Sequence, residues 1–368
     1  MSPSSYRYFT QHLLTGEILA PDLPLTDVAW GPQLNGPGSL TAKLAPRFAR
    51  SLPQAVDEGT TALYVEHGGI LRWGGILWQA TPQDRTLSLE AAGWSSYLQH
   101  RHDIHGELNG RGPYVNADPC RIIRDIWAYA QSVPDGDLGV IVDPATSTAT
   151  VGTTAEPLHF SWWEDPVLGN AVDDLVKSDD SPDYTCDTAW SADGTIVRRL
   201  RLAYPRLGAR RTDVSFASGI NIIDAPAVTR SADEYAQTVI ATGAGEGRAK
   251  VRVIDSVRDG RLRLEQVLDL PDIKGTDVLA ARARAERIRR QTRGQVDQIQ
   301  IRPDHPAAPL GSFQVGDDVM VSIHSDWTDW TGWCRITGWT VRAGGSDGET
   351  VTVDLARADS YHYGSAAA

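Results

Sequence analysis

Short runs in which apolar and polar residues alternate, separated by Gly, Pro, Asn and Asp, fill most of the chain and predict strands. Residues 6–14 form an aromatic-rich run closed by Thr15-Gly16. Residues 25–34 lead into Asn35-Gly-Pro-Gly38 and then residues 39–44. Asn and Gly tolerate the positive φ of a tight reversal, so a hairpin is expected, with Pro37 lengthening its loop beyond two residues. Residues 62–66, 70–78 and 85–91 continue the series; in Thr86-Leu-Ser-Leu-Glu-Ala91 the alternation puts Leu87, Leu89 and Ala91 on one sheet face.

The period changes in the middle. Asp118-Pro119 supplies an N-cap and a first-turn proline, and Ile122, Ile123, Ile126, Trp127 and Ala130 follow at helical spacing. A second helix is predicted over 166–176, with Leu168, Val172, Leu175 and Val176 on one stripe, ended by the Asp-rich segment 179–183. Strands over 184–189 and 195–204, joined by Ala192-Asp-Gly194, complete a small α+β insert. From residue 214 strands return, over 235–241, 249–256 and 262–268. One long helix is predicted over 277–292, docking by Val278, Ala281, Ala285 and Ile288 and displaying Arg282, Arg284, Arg287, Arg289, Arg290 and Arg293 elsewhere. Strands over 298–302, 319–324, 332–342 and 350–355 close the chain.

An internal echo organises these elements. Trp73-Gly-Gly-Ile-Leu-Trp78, a turn and Thr86-Leu-Ser-Leu-Glu-Ala91 are matched by Thr331-Gly-Trp-Cys-Arg-Ile-Thr-Gly-Trp339, a turn and Thr350-Val-Thr-Val-Asp-Leu355. The expected fold is mainly β with α+β insertions: two similar antiparallel β-barrels, which would remove exposed strand edges, plus a small inserted α+β domain and one long helix. The divisions expected are a first barrel over 1–105, the insert over 106–213, a strand-rich segment with the Arg-rich helix over 214–297, and a second barrel over 298–368.

Composition narrows the function classes. A chain of 368 residues has room for about two to three domains. Its formal charge of −12 disfavours nucleic acid as a partner. No uncharged apolar run approaches the length of a membrane span, and Met1-Ser-Pro-Ser-Ser has no apolar core, so neither a span nor a secretory signal is expected. Cys120, Cys186 and Cys334 are odd in number and far apart, which fits neither a disulfide framework nor a zinc knuckle.

Several motifs now read together. Leu14-Thr-Gly-Glu-Ile-Leu19, Leu23-Pro-Leu-Thr-Asp-Val-Ala-Trp30, Leu34-Asn-Gly-Pro-Gly-Ser-Leu40 and Trp73-Gly-Gly-Ile76 come first. Tyr204-Pro-Arg-Leu-Gly208, Gly219-Ile-Asn-Ile-Ile223, Val239-Ile-Ala-Thr-Gly243 and Gly316-Asp-Asp-Val319 follow. In this order they resemble the minor tail proteins, or tail (baseplate) hub proteins, of tailed actinobacterial phages, along nearly the whole chain. The resemblance implies a homotrimeric ring at the tail tip of the virion, made in the host cytoplasm and open for DNA that passes without specific binding. Its neighbours would be a distal tail protein, a tape measure protein and other minor tail or fibre proteins. The chain stops at Tyr363-Gly-Ser-Ala-Ala-Ala368, so a hub core is expected, with any enzyme or receptor binder on another chain.

No catalytic residue, metal site or cofactor is assigned. His100, His102 and His105 with Asp103 have metal-ligand chemistry, but no fixed-spacing motif such as HExxH is present, and solvated loop histidines are the plainer reading. Gly243-Ala-Gly-Glu-Gly247 lacks the GxGxxG spacing of a dinucleotide loop and fits a hairpin tip. Asp173, Asp174, Asp179, Asp180 and Asp183 lack the EF-hand order and read as a solvated acidic loop. No GxSxG elbow occurs. Trp327, Trp330 and Trp333, with Trp339, Trp162 and Trp163, offer either a carbohydrate platform or core and subunit contacts; spacing of three puts alternate rings on opposite faces of a strand and favours contacts. Arg282, Arg289 and Arg293 lie close together on the helical wheel; the plainer reading is a solvated helix pairing with acidic neighbours, and the sharper one is a subunit interface in which the three face an acidic surface of an adjacent subunit. The competing functions are a carbohydrate-binding module acting through the Trp-rich end and a cell-wall hydrolase using the His/Asp cluster.

Overall fold

The computed structural model describes residues 6–83, 85–177, 181–223, 228, 232–233, 235–271, 273–291, 296–345 and 348–358. The N-terminal strands are β1 (Tyr6–His12), β2 (Ile18–Ala20), β3 (Thr26–Gly31), β4 (Ser39–Leu44), β5 (Thr61–His67), β6 (Ile70–Gln83) and β7 (Thr86–Ala92), with a short α1 (Pro46–Ser51) after β4. Asn35 and Gly38 take φ of 52° and 66° in the loop between β3 and β4, as the turn chemistry requires. Leu89 and Ala91 are buried, and Leu87 packs beside them on the same face.

Next come the turn α2 (Glu107–Gly110), α3 (Pro119–Ser132), β8 (Val140–Val142), α4 (Leu168–Val176), β9 (Asp183–Trp190) and β10 (Ile196–Ala203). The Asp118 side chain accepts from Cys120 N at 2.8 Å and Pro119 opens α3, so the helix starts where its cap sits. Ile122, Ile123, Ile126, Trp127 and Ala130 of α3 and Leu168, Val172, Leu175 and Val176 of α4 are buried. They share a core with Phe9, Ala62, Tyr64 and Ile76 of the N-terminal strands, so the insert rests on that sheet's outer face. Its own sheet runs β8-β10-β9.

The remaining elements are β11 (Arg210–Ala217), β12 (Thr238–Thr242), β13 (Arg252–Ser256), β14 (Glu265–Asp269), α5 (Thr276–Gln291), β15 (Gln298–Ile301), β16 (Asp318–Ser325), β17 (Thr328–Gly345) and β18 (Gly348–Arg357). The echoed hairpins both form, β6 with β7 and β17 with β18. They do not close as two barrels. A 12-stranded sheet runs β11-β16-β17-β3-β4-β7-β6-β5-β1-β2, with β18 pairing both β17 and β15, and the described residues form no closed barrel.

The seam between the two ends is β3 against β17, with Trp30 opposite Val341 and Ala29 opposite Arg342. Gly31 makes this approach possible, because a Cβ there would lie 1.6 Å from the Trp339 carbonyl oxygen. Trp30, fully buried, meets Trp339 edge-on at 5.2 Å between ring centroids, and Tyr6 Oη donates to Glu349 from the opposite end of the chain. One contiguous core therefore includes Tyr8, Leu63 and Trp73 from one end and Val319, Ile336 and Val353 from the other. Pairing two open edges removes both of them, which is what barrel closure would otherwise have done.

Helix α5 spans the expected residues but docks by another face. Leu279 and Ala283 are buried against Val239 and Ala241 of the three-stranded sheet β13-β12-β14. Val278 and Ile288, expected inside, are 55% and 51% exposed. The face chosen lets Arg287 Nε reach Asp255 Oδ2 at 2.6 Å, a partner on β13 that a helix wheel cannot display.

Candidate functional site

Three of the motifs noted in the sequence converge on one buried junction. Arg335 of β17 is 1% exposed and its Nη2 meets Asp183 Oδ2 at 2.5 Å. The rest of the carboxylate is occupied: Leu207 N donates to Oδ2 at 2.8 Å and Asn35 Nδ2 to Oδ1 at 3.0 Å. The guanidinium also reaches the carbonyls of Leu207 and Gly316. One segment comes from the first hairpin, one from the insert and one from the C-terminal strands.

Beside it a second tier repeats the chemistry. Arg206 Nη2 meets Asp318 Oδ1 at 2.6 Å, and Arg211 Nη1 meets Asp317 Oδ2 at 3.3 Å; both carboxylates are fully buried. Asp317 Oδ1 also accepts from Ala209 N at 2.9 Å. Gly208 and Gly316 touch backbone to backbone here, at φ of 83° and 91°, with a Cβ on Gly208 falling 2.2 Å from Gly316 C. Charges this far from water are tolerated when paired and fully hydrogen-bonded, and bidentate-capable Arg suits that task. The arrangement ties the insert to the body of the large sheet.

This overturns one expectation. Asp183 is not part of a solvated acidic loop: it is 7% exposed at the junction, while Asp173 accepts from Gln99 and Asp174 pairs with Lys177. Asp179 and Asp180 lie outside the described residues.

The α5 arginines are largely engaged within the chain. Arg289 and Arg290 both hold Glu286, at 2.5 and 2.6 Å. Burial pushes the Glu286 carboxyl up, but the hydrogen bonds and charges of those two arginines outweigh it and hold the group below the usual Glu range. Arg282 is half-buried; Arg293 lies outside the described residues.

The other candidates disperse. His102 Nδ1 meets the Asp165 carbonyl, His100 packs against Trp78 with ring centroids 4.2 Å apart and planes tilted by 32°, and His105 sits edge-on to Tyr129. Among the described residues no group of three or more His, Cys, Asp or Glu is placed to hold a metal. Gly243–Gly247 lies in the connection of β12 to β13, where Gly243 N donates to Val251 O. Trp327 is 92% exposed, Trp330 packs on the main core, and Trp333 lies under the Arg210 guanidinium on the opposite face of β17, so the three rings make no common platform. Trp162 and Trp163 are exposed on the insert. No described helix is long and apolar enough to cross a membrane.

The whole-chain architecture has counterparts among solved structures. The 43 kDa tail protein of prophage MuSo2 from Shewanella oneidensis superposes with a TM-score of 0.59 at 14% identity, covering 97% of this chain and 100% of that one. A tail protein from Neisseria meningitidis MC58 gives 0.56 at 14% identity, covering 97% and 98%. Prophage tail protein gp18 from Listeria monocytogenes EGD-e gives 0.55 at 10% identity, covering 96% and 95%. No family model and no curated protein matches the sequence. The chain thus has the fold of these phage tail proteins from end to end. The likeness carries the fold and does not extend to an actinobacterial host.

Proposed function

We propose that this chain is a structural tail-hub protein of a virion, with no enzymatic role. Copies close as a homotrimeric ring at the tail tip, between a distal tail ring and the fibres or spike, with tape measure and other minor tail proteins as further neighbours. The observation that carries this is the end-to-end match to the MuSo2 tail protein, with no segment of that chain left over. The junction supports it physically: the Arg335–Asp183 and Arg206–Asp318 pairs tie the insert to the large sheet, as a rigid wall element requires. A net charge of −12 suits a channel through which DNA passes without being held. The carbohydrate-module reading loses its platform, since Trp330 and Trp333 face opposite ways.

Gold-labelled antibody against the chain should decorate the tail tip of intact virions that contain it. Label along the tail shaft or on the head, or none on virions, would defeat the reading.

A further inference from the structure

A half-open cavity of about 190 Å³ lies where three parts of the chain meet. Arg72 reaches it from β6, Asp187 of β9 and Arg201 of β10 from the insert, and Phe313 with Trp339 of β17 from the C-terminal end. Its cations lack carboxylates. Among the described residues Arg72 makes no hydrogen bond and no ion pair, and its Nε is buried without an acceptor. Arg201 Nη1 donates to Gln314 Oε1 at 2.6 Å, a neutral acceptor, and Arg201 likewise has no ion pair among the described residues. The Trp339 indole N–H is also buried and unpartnered. Gly311, at φ of 98°, leaves room for this arrangement, because a Cβ there would lie 2.5 Å from Arg72 Nη1.

Charge on the cavity wall is positive. Arg72 and Arg201 stand against one acid, Asp187, whose Oδ1 already accepts from Thr188 N. Glu349, beside Arg72, accepts from the Tyr6 hydroxyl and makes no ion pair with Arg72. A guanidinium and an indole N–H can only donate, so unused donors outnumber unused acceptors here. Buried donors are normally satisfied, and this wall is complete only with an acceptor-only guest.

We propose that this cavity binds a carboxylate. The planar anion matches the fork of Arg72, and the Trp339 indole supplies a further donor. Size limits the guest. At about 30 Å³ per water the space equals roughly six waters, below the ~300 Å³ at which drug-sized pockets begin. Leu71, Leu310 and Phe313 add apolar wall for a stem of a few carbons. The guest is therefore one carboxylate on a short aliphatic stem, either an acidic side chain of another protein or a free small acid. Seated there, it ties β6, the insert and the C-terminal segment together.

The test follows the indole N–H signals of the full-length chain grown with tryptophan that carries an NMR-active nitrogen isotope; Trp339→Phe serves only to assign the Trp339 signal. Sodium butyrate should move that signal saturably, while sodium chloride at equal ionic strength leaves it in place. Arg72→Gln, which removes a side chain with no partner to lose, should weaken butyrate binding about tenfold or more with circular dichroism unchanged. Arg72→Lys should fall between, because it keeps the charge and loses the fork. No movement with butyrate up to about 0.1 M, an equal movement with chloride, or undiminished binding in Arg72→Gln would overturn the site. A blocked Gly-Gly-Glu-Gly-Gly peptide separates the two sources. Binding tighter than butyrate, and lost when Gln replaces the Glu, identifies a protein side chain; binding no tighter than butyrate identifies a free acid.

Discussion

Arg335→Met is expected to lower the unfolding free energy by about 3–5 kcal/mol, read from urea titrations followed by tryptophan fluorescence. The change strands Asp183, 7% exposed, without its guanidinium, and takes one donor from each of the Leu207 and Gly316 carbonyls, the latter still held by Arg206 Nη2 at 3.0 Å. Leu207 N and Asn35 Nδ2 still donate to the carboxylate, but two neutral donors do not balance a buried charge. Asp183→Asn in the same background should recover part of the loss, since the amide needs no countercharge. If Arg335→Met shifts stability by less than 1 kcal/mol, roughly the worth of an exposed ion pair, the junction is not holding the insert.

Gly31→Ala should cost about 3 kcal/mol or more, at the upper end of overpacking penalties. The added methyl would occupy the space of the Trp339 carbonyl, 1.6 Å away, and a backbone oxygen in a ladder cannot swing aside as a side-chain tip can. Strands β3 and β17 would have to part, exposing Trp30 and Trp339. Near-neutral stability, with Gly275→Ala as the control because its nearest contact is the Val278 side chain at 3.7 Å, would show that the two ends are not paired at this seam.

Local chemistry was legible in the sequence where a neighbour within a few residues decides it. Asp118 and Pro119 announced α3, the Asn35–Gly38 loop announced its hairpin, and the alternation in 86–91 assigned Leu89 and Ala91 to the core. What escaped depends on partners far along the chain. Asp183 looked like one more solvated acid beside Asp179 and Asp180, and its burial is decided by Arg335, 152 positions away. The helix wheel ranked Val278, Ala281, Ala285 and Ile288 as the docking stripe because they are the apolar residues; the sheet instead engages Leu279, Ala283 and Arg287, drawn by the small Ala241 and by Asp255. The repeated hairpins were visible, but alternation does not say which edge a strand will meet, so the β3–β17 seam was invisible. The resemblance motifs had no evident physical meaning until Asn35, Arg206 to Gly208 and Gly316 to Asp318 met at one place.

In the proposed ring, copies of this chain surround a hole. Electron-microscopy class averages of the purified protein, viewed down the particle axis, test it most directly. Three copies around an open lumen, in a particle of about 120 kDa (three times 40.0 kDa), are expected. Averages showing solitary globules of one copy, or a closed pair with no opening, would contradict it.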